Sequence, residues 1–161
     1  MTKFLLTLHV LAAIVAVGPV TVAASMFPPA ARRALVSPDG ADTAGSDTDG
    51  VGTVRLLHRI CRVYSGIGLA VPVLGLATAL AMGVLGSGWL VTSIALTAAA
   101  AGILVAFVLP RQDELLGQLT AHQPVERAGT VQLAMFTGAF NLLWATVTVL
   151  MIVRPGSTTG A

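Results

Sequence analysis

Charge is the scarcest commodity in this chain. Only 10% of its 161 residues are Asp, Glu, Lys or Arg, and a single Lys stands among nine basic residues. The net charge of +2 is too small to indicate a nucleic-acid partner. Cys61 is the only cysteine, so no intrachain disulfide can form. It is read as a small apolar residue at a helix end. Aromatic residues make up 5% of the chain. There is no Gly-rich phosphate loop, no G-x-S-x-G elbow and no H-E-x-x-H zinc motif, which argues against a soluble-type hydrolase or ATPase. The scarcity of Lys beside abundant Ala, Val, Gly and Leu suggests a high-GC bacterial source.

What the chain does have is apolar length. Four runs, Phe4 to Ala24, Val63 to Val84, Trp89 to Leu109 and Val131 to Val153, contain no Lys, Arg, Asp or Glu. At about 1.5 Å of rise per residue each can cross a hydrocarbon core of about 30 Å. In lipid a helix satisfies its own backbone groups, so four spans need no sheet. The expectation is an all-α, polytopic transmembrane four-helix bundle, built as one domain over residues 1–161. The first run is longer than the usual 7 to 15 residue signal core and reads as a retained helix.

Charge around the runs sets the orientation. Lys3, the turn Leu85 to Gly88 and Arg154 fall on one side, with two basic residues. The other side carries Arg32, Arg33, Arg55, Arg59, Arg62, Arg111 and Arg127, seven in all. Positive charge stays cytoplasmic, so both termini are expected outside a bacterial cytoplasmic membrane. Trp89 then falls at the outer interface. Within the first cytoplasmic loop, Met26 to Val36 reads as a helical continuation past Pro28-Pro29. Residues 37–52 are rich in Gly, Ser, Thr and Asp and read as mobile; Asp47 to Gly50 resembles a calcium loop only faintly. Residues Gln112 to Glu126, including His122, read as a solvated connector with a short helix over Asp113 to Leu119.

Candidate site residues follow from position. Arg55, Arg59 and Arg62 share one helical face, with His58 beside them, and suit anionic headgroups or a docking partner. Small residues favour close helix packing: Gly68, Gly75, Ala79 and Gly83 on the second helix, Ala98 to Gly102 on the third, and Ala12, Ala13 and Ala16 beside His9 on the first. Pro19 and Pro72 are expected to bend their helices. His9 is an ionisable group inside a span and is expected to face the bundle. Asn141 lies near the middle of the fourth helix, with Thr137, Gly138, Ala145 and Thr148 on its face. Depth matching places His9, Thr78, Ser93 and Thr148 in one outer-leaflet polar layer, with Asn141 about two turns deeper.

Three uses of His9 compete: a neutral hydrogen-bonding residue between helices, a haem b or metal ligand, or proton and quinone handling. Met82 and Met151 are near its depth, so His/Met ligation by His9 and Met82 is one option. A ligand from a second copy or another subunit is another. No intramembrane carboxylate exists to form a proton relay.

The segment Phe4-Leu5-Leu6-Thr7-Leu8-His9-Val10-Leu11-Ala12-Ala13-Ile14-Val15-Ala16-Val17-Gly18 resembles the first helix of membrane proteins similar to copper-resistance protein D and the HemJ-type protoporphyrinogen oxidase. Ala16 stands where such proteins often carry Trp. Together with Val108-Leu109-Pro110-Arg111 and Met151-Ile152-Val153-Arg154-Pro155-Gly156, it makes the whole chain more similar to an uncharacterised actinobacterial family of four-helix integral membrane proteins. The resemblance implies a four-helix fold and, from the haem-associated relatives, His9 as a candidate haem ligand. From the residues themselves the leading expectation is a non-catalytic or accessory bundle that associates with itself or a larger complex. Haem-dependent redox or porphyrin handling comes second, and a small-solute or metal permease third.

Overall fold

The computed structural model describes residues 2–36, 50–121, 123 and 127–156. Among these residues there is no strand. The helices are α1 (Thr2–Val36), α2 (Gly50–Ile67), α3 (Ala70–Met82), α4 (Gly88–Ile103), α5 (Leu109–Thr120) and α6 (Arg127–Val153). Helices α2 and α3 follow one another as one rod, and so do α4 and α5. Four rods therefore have the length and apolar composition to cross a membrane: Thr2–Ala34, Gly50–Met82, Gly88–Thr120 and Arg127–Val153. The chain is a multi-pass membrane helical bundle.

Every rod is longer than its apolar run, because the helix does not stop where charge begins. Arg32 and Arg33 are exposed within α1, where long cationic side chains can reach the interface. Helix α1 runs on through Pro19, Pro28 and Pro29. Residues 50–52, expected in the mobile loop, instead open α2. A Cβ at Gly50 would lie 3.2 Å from both Cα and Cβ of Ala34, so the missing side chain lets the start of α2 lie close against the end of α1. The connector after the third span is likewise helical over Leu109–Thr120, starting four residues before the expected short helix and ending one after it. Residues 37–49 of the expected mobile loop, including all of the calcium-like segment but Gly50, and His122 and Glu126 of the connector lie outside the described residues.

Prolines decide where the rods break. Pro72 has no N–H to give the Gly68 carbonyl. The chain leaves the α-helix at Gly68-Leu69, and Val71 N–H reaches the Gly68 carbonyl instead, at 3.1 Å. Pro110 is handled differently. Residues Leu104–Val108 widen into a π-helical turn, with Leu109 N–H bonded to the Leu104 carbonyl. That extra residue keeps the helix continuous past the proline. Helix α3 ends at Gly83, whose φ of 68° is left-handed; Gly83 N–H bonds Leu80 O and Val84 N–H bonds Ala79 O. This paired closure satisfies two end carbonyls and starts the tight turn to α4.

Helix α1 is the central wall. It packs against α2 and α3 on one side and α6 on another, while α4 packs chiefly on α6. The main core joins Val20, Ala24, Phe27 and Ala31 of α1 to Val54, Leu57 and Cys61 of α2. It continues through Ala100, Leu104, Val108 and Leu115 to Leu133 and Phe140 of α6. A smaller cluster of Ala79, Trp89 and Leu90, with Val84 and Met151 against it, closes the end near the α3–α4 turn. Trp89 is buried there rather than spread along an interface, with the Arg154 guanidinium 5.7 Å from its ring centroid. The expected internal ridge on the third span is turned outward: Ala98 and Gly102 are exposed, and it is Leu90, Ser93, Ala100 and Leu104 that face the bundle.

Candidate functional site

His9 is half-buried and faces the bundle, against α3. Its Nδ1 lies 3.0 Å from the Val71 carbonyl oxygen. A carbonyl can only accept, so Nδ1 carries a hydrogen, and Nε2 is the nitrogen that holds the lone pair whenever the ring is neutral. The ring lies on the bare backbone of Gly75, where a Cβ would stand 2.9 Å from His9 Cε1. The small-residue pattern of the second span thus makes room for an imidazole at Gly75. Binding a metal through Nε2 while Nδ1–H is held by a carbonyl is a common arrangement of ligating histidines. Met82 is less well matched to that role. It stands seven residues beyond Gly75, about 10 Å along the α3 axis.

The outer polar layer takes a different form from the one expected. Thr78 and Ser93 are buried, but their hydroxyls donate to Leu74 O at 2.8 Å and Trp89 O at 2.8 Å within their own helices. Thr148 is exposed and donates to Trp144 O at 2.9 Å, so it faces away from the bundle. A threonine that bonds its own i−4 carbonyl has no need of a neighbouring helix, and helical spacing alone does not say which way it turns. Asn141 does reach across. Its Nδ2 donates to Ser25 Oγ on α1 at 3.0 Å.

The basic face of α2 is as the spacing indicates: Arg55, Arg59 and Arg62 are all exposed. His58 is not part of it. Together with Val54, Leu57 and Cys61 it forms the buried face of α2, turned toward α5. There His58 Nδ1 lies 3.2 Å from Gln112 Oε1, and Gln112 Nε2 lies 3.6 Å from Cys61 Sγ. The amide oxygen accepts, so Nδ1 carries the proton. His58 Nε2 is 3.0 Å from Asp113 Oδ1, close enough for an ion pair when the imidazole is charged but out of line for a hydrogen bond. Gln112 is fully buried, while the Asp113 side chain is 60% exposed. With Cys61 also fully buried, this cluster has no open face for a substrate and serves to join α2 to α5. Nothing in the sequence pairs His58 with Gln112: they are 54 residues apart, on segments read as an anchor and a solvated connector.

Compared with known proteins, the chain matches no family model, no curated protein and no solved structure.

The α2–α5 junction yields a contrast. Gln112→Leu strands the buried His58 nitrogen and is expected to lower stability by about 1 to 3 kcal/mol. Asp113→Asn weakens only a solvent-screened contact and is expected to cost less than about 1 kcal/mol. Thermal unfolding of the two variants in the same mild detergent measures both, and equal losses would contradict this account of the junction.

Proposed function

We propose that the protein is a non-catalytic, accessory membrane bundle that assembles with further copies of itself or into a larger membrane complex. One observation supports this reading above the others. Ala98, Gly102 and Ala106 are exposed at a spacing of four, flanked by exposed Ala95 and Ala99. No heavy atom lies within 4 Å of where a Gly102 Cβ would be. Small residues at that spacing let two helices approach backbone to backbone in lipid, where there is no hydrophobic force to bring them together. Such a strip on the outside of a bundle suits another helix better than it suits lipid chains.

The membrane in this proposal is a bacterial cytoplasmic membrane with both termini outside, the orientation favoured by seven basic residues against two. The exposed Arg55, Arg59 and Arg62 then lie at the cytoplasmic face, where each contributes about 1 kcal/mol toward anionic headgroups. A reporter enzyme active only outside the cytoplasm, fused at the C-terminus, is expected to be active; an inactive fusion beside an active one placed in the 37–49 segment would reverse the orientation.

A second reading has its own support. The Val71 carbonyl engages His9 Nδ1 and leaves Nε2 as the ligating nitrogen, which suits one axial haem ligand, the other coming from a second copy or another subunit. Protein purified from haem-replete cells would then show a Soret band that shifts on reduction with dithionite and disappears in His9→Ala. A flat spectrum leaves His9 as the tie between α1 and α3.

For the leading reading the decisive variant is Gly102→Leu. It adds bulk to an exposed position and is expected to leave the monomer folded. Self-association, measured by energy transfer between labelled copies in bilayers of varied protein density, is expected to weaken at least tenfold, about 1.4 kcal/mol. A wild-type protein that stays monomeric at every density and recovers no partner after mild crosslinking would overturn the proposal.

A further inference from the structure

Helices α1 and α6 line a half-open cleft of about 250 Å³, with Ser25, Pro28, Pro29, Arg32, Thr137 and Asn141 among its walls. At about 30 Å³ per water, that is room for about eight waters, or for one small polar molecule.

Its inner end has two polar atoms without partners, an acceptor on Asn141 and a hydroxyl on Thr137 that can both give and accept. The Ser25 hydroxyl gives its proton to Thr21 O, at 2.7 Å. The Ser25 oxygen can then only accept, and it accepts from Asn141 Nδ2 at 3.0 Å. This fixes the amide and leaves Asn141 Oδ1 buried with no partner. Thr137 is 3% exposed, and its Oγ1 is likewise buried and unpartnered. It differs in this from Thr78, Ser93 and Thr97, whose hydroxyls all turn back onto their own helices. Pro28 and Pro29 have no N–H, so the carbonyls of Ala24 and Ser25 lose their usual helical donors as well. Leaving such groups unmade costs about 1 to 3 kcal/mol each.

The outer end has donors without acceptors. Arg32 Nε donates to Thr130 Oγ1 at 3.2 Å, and Thr130 Oγ1 donates on to Arg127 O at 2.9 Å. The terminal nitrogens of Arg32 make no ion pair with any described residue. Arg32 also lies at a definite depth. It is 29 residues from Lys3 along α1, about 44 Å of helix, which matches the 40 to 45 Å of a bilayer with its headgroups. That length is enough for Lys3 and Arg32 to reach the phosphate levels of opposite leaflets.

The occupant must bring an anion to Arg32 and a donor to Asn141 Oδ1. No carboxylate lines the cavity, so an ammonium there would have no counter-charge, whereas a neutral hydroxyl satisfies both Asn141 and Thr137. Thr137 is seven residues from Thr130, about 10 Å along α6. With a hydrogen bond of about 3 Å at each end, a small molecule carrying an anion at one end and a hydroxyl at the other can bridge that separation. We propose that this cavity binds the phosphate ester of a small polyol, its phosphate on Arg32 and a hydroxyl on Asn141 and Thr137. The same chemistry is offered by free glycerol phosphate and by the headgroup of a phosphatidylglycerol lipid.

Calorimetric titration of the full chain in mild detergent with sn-glycerol 3-phosphate, set against inorganic phosphate, tests the free form. Thermal unfolding in phosphatidylcholine nanodiscs with and without phosphatidylglycerol tests the lipid form. One saturable site for glycerol phosphate, or a rise in Tm with phosphatidylglycerol alone, supports the proposal and says which source it is. In either arm the response is expected to fall at least tenfold, or the Tm shift to vanish, in Arg32→Gln and Asn141→Leu. Thr137→Val, which keeps the shape of the side chain, is expected to weaken binding about threefold and keeps the test valid where Asn141→Leu fails to fold. No response to either probe overturns the proposal, as does inorganic phosphate binding as well as its ester. A response unchanged by both Arg32→Gln and Thr137→Val assigns the binding to the surface and also overturns it.

Discussion

The constraint behind this structure is that a backbone group inside hydrocarbon must find its partner within the protein. Four long helices meet it almost automatically, and the prolines are where it is strained. The chain answers each one differently. At Pro72 the helix breaks, and a tighter bond from Val71 closes on the Gly68 carbonyl. Before Pro110 it widens by one residue and continues. At Pro28 and Pro29 helix α1 stays helical, and the displaced carbonyls come beside a polar cavity. The polar features of the molecule cluster around these places. The His9 contact falls on the residue before Pro72, Gln112 lies two residues past Pro110, and the α1–α6 cavity has Pro28 and Pro29 in its wall.

Helix packing here has little to do with hiding apolar surface. Phe4, Ile14, Met135, Leu142 and Ile152 are 64% to 75% exposed, as lipid-facing residues should be. What distinguishes one arrangement from another is shape and a few polar ties. Four polar ties between helices stand out: His9 to Val71, Asn141 to Ser25, Arg32 to Thr130 and His58 to Gln112. Interhelical bonds of this kind average only about 0.6 kcal/mol in membranes. Their sum, about 2 to 3 kcal/mol, is too small to hold the bundle together. It is enough to choose a register, because a helix slid by one turn would lose its ties and leave the same groups unpaired in a medium without water.

Much of this was legible in the chain. Uninterrupted apolar length identifies the four spans, and the exposed face of Arg55, Arg59 and Arg62 follows from spacing alone. Helix ends were not legible, since a run ends at its first charge while a helix can carry Arg32 and Arg33 out to the interface. Inward-facing polar residues were legible only where the side chain cannot satisfy itself. Asn141 has no easy bond to its own backbone and reaches α1; Thr148 has one and faces out. His58 is hidden because the basic residues around it suggest a solvated face, and its burial depends on α5, whose polar composition reads as a connector. Ser25, Arg32 and Thr137 carry no signal singly. Their meaning comes from a meeting between segments more than a hundred residues apart.

The two polar regions of α1 and the small-residue strip of α4 are arranged so that they need not interfere. His9 meets α3 near one end of α1, and Ser25 and Arg32 meet α6 near the other, with 16 residues between His9 and Ser25, about 24 Å of helix. Helix α4 packs chiefly on α6, and its strip of Ala98, Gly102 and Ala106 is on the exposed side. Coupling between the strip and the polar regions, where it exists, has to pass through α6, which packs on both α1 and α4. That helix carries Thr137 and Asn141 on the face it turns to α1, and Phe107, from the widened turn after α4, stacks on its Phe136 at 4.8 Å. Neighbouring positions on one helix thus face the cavity and the α4 rod, within a single turn of each other.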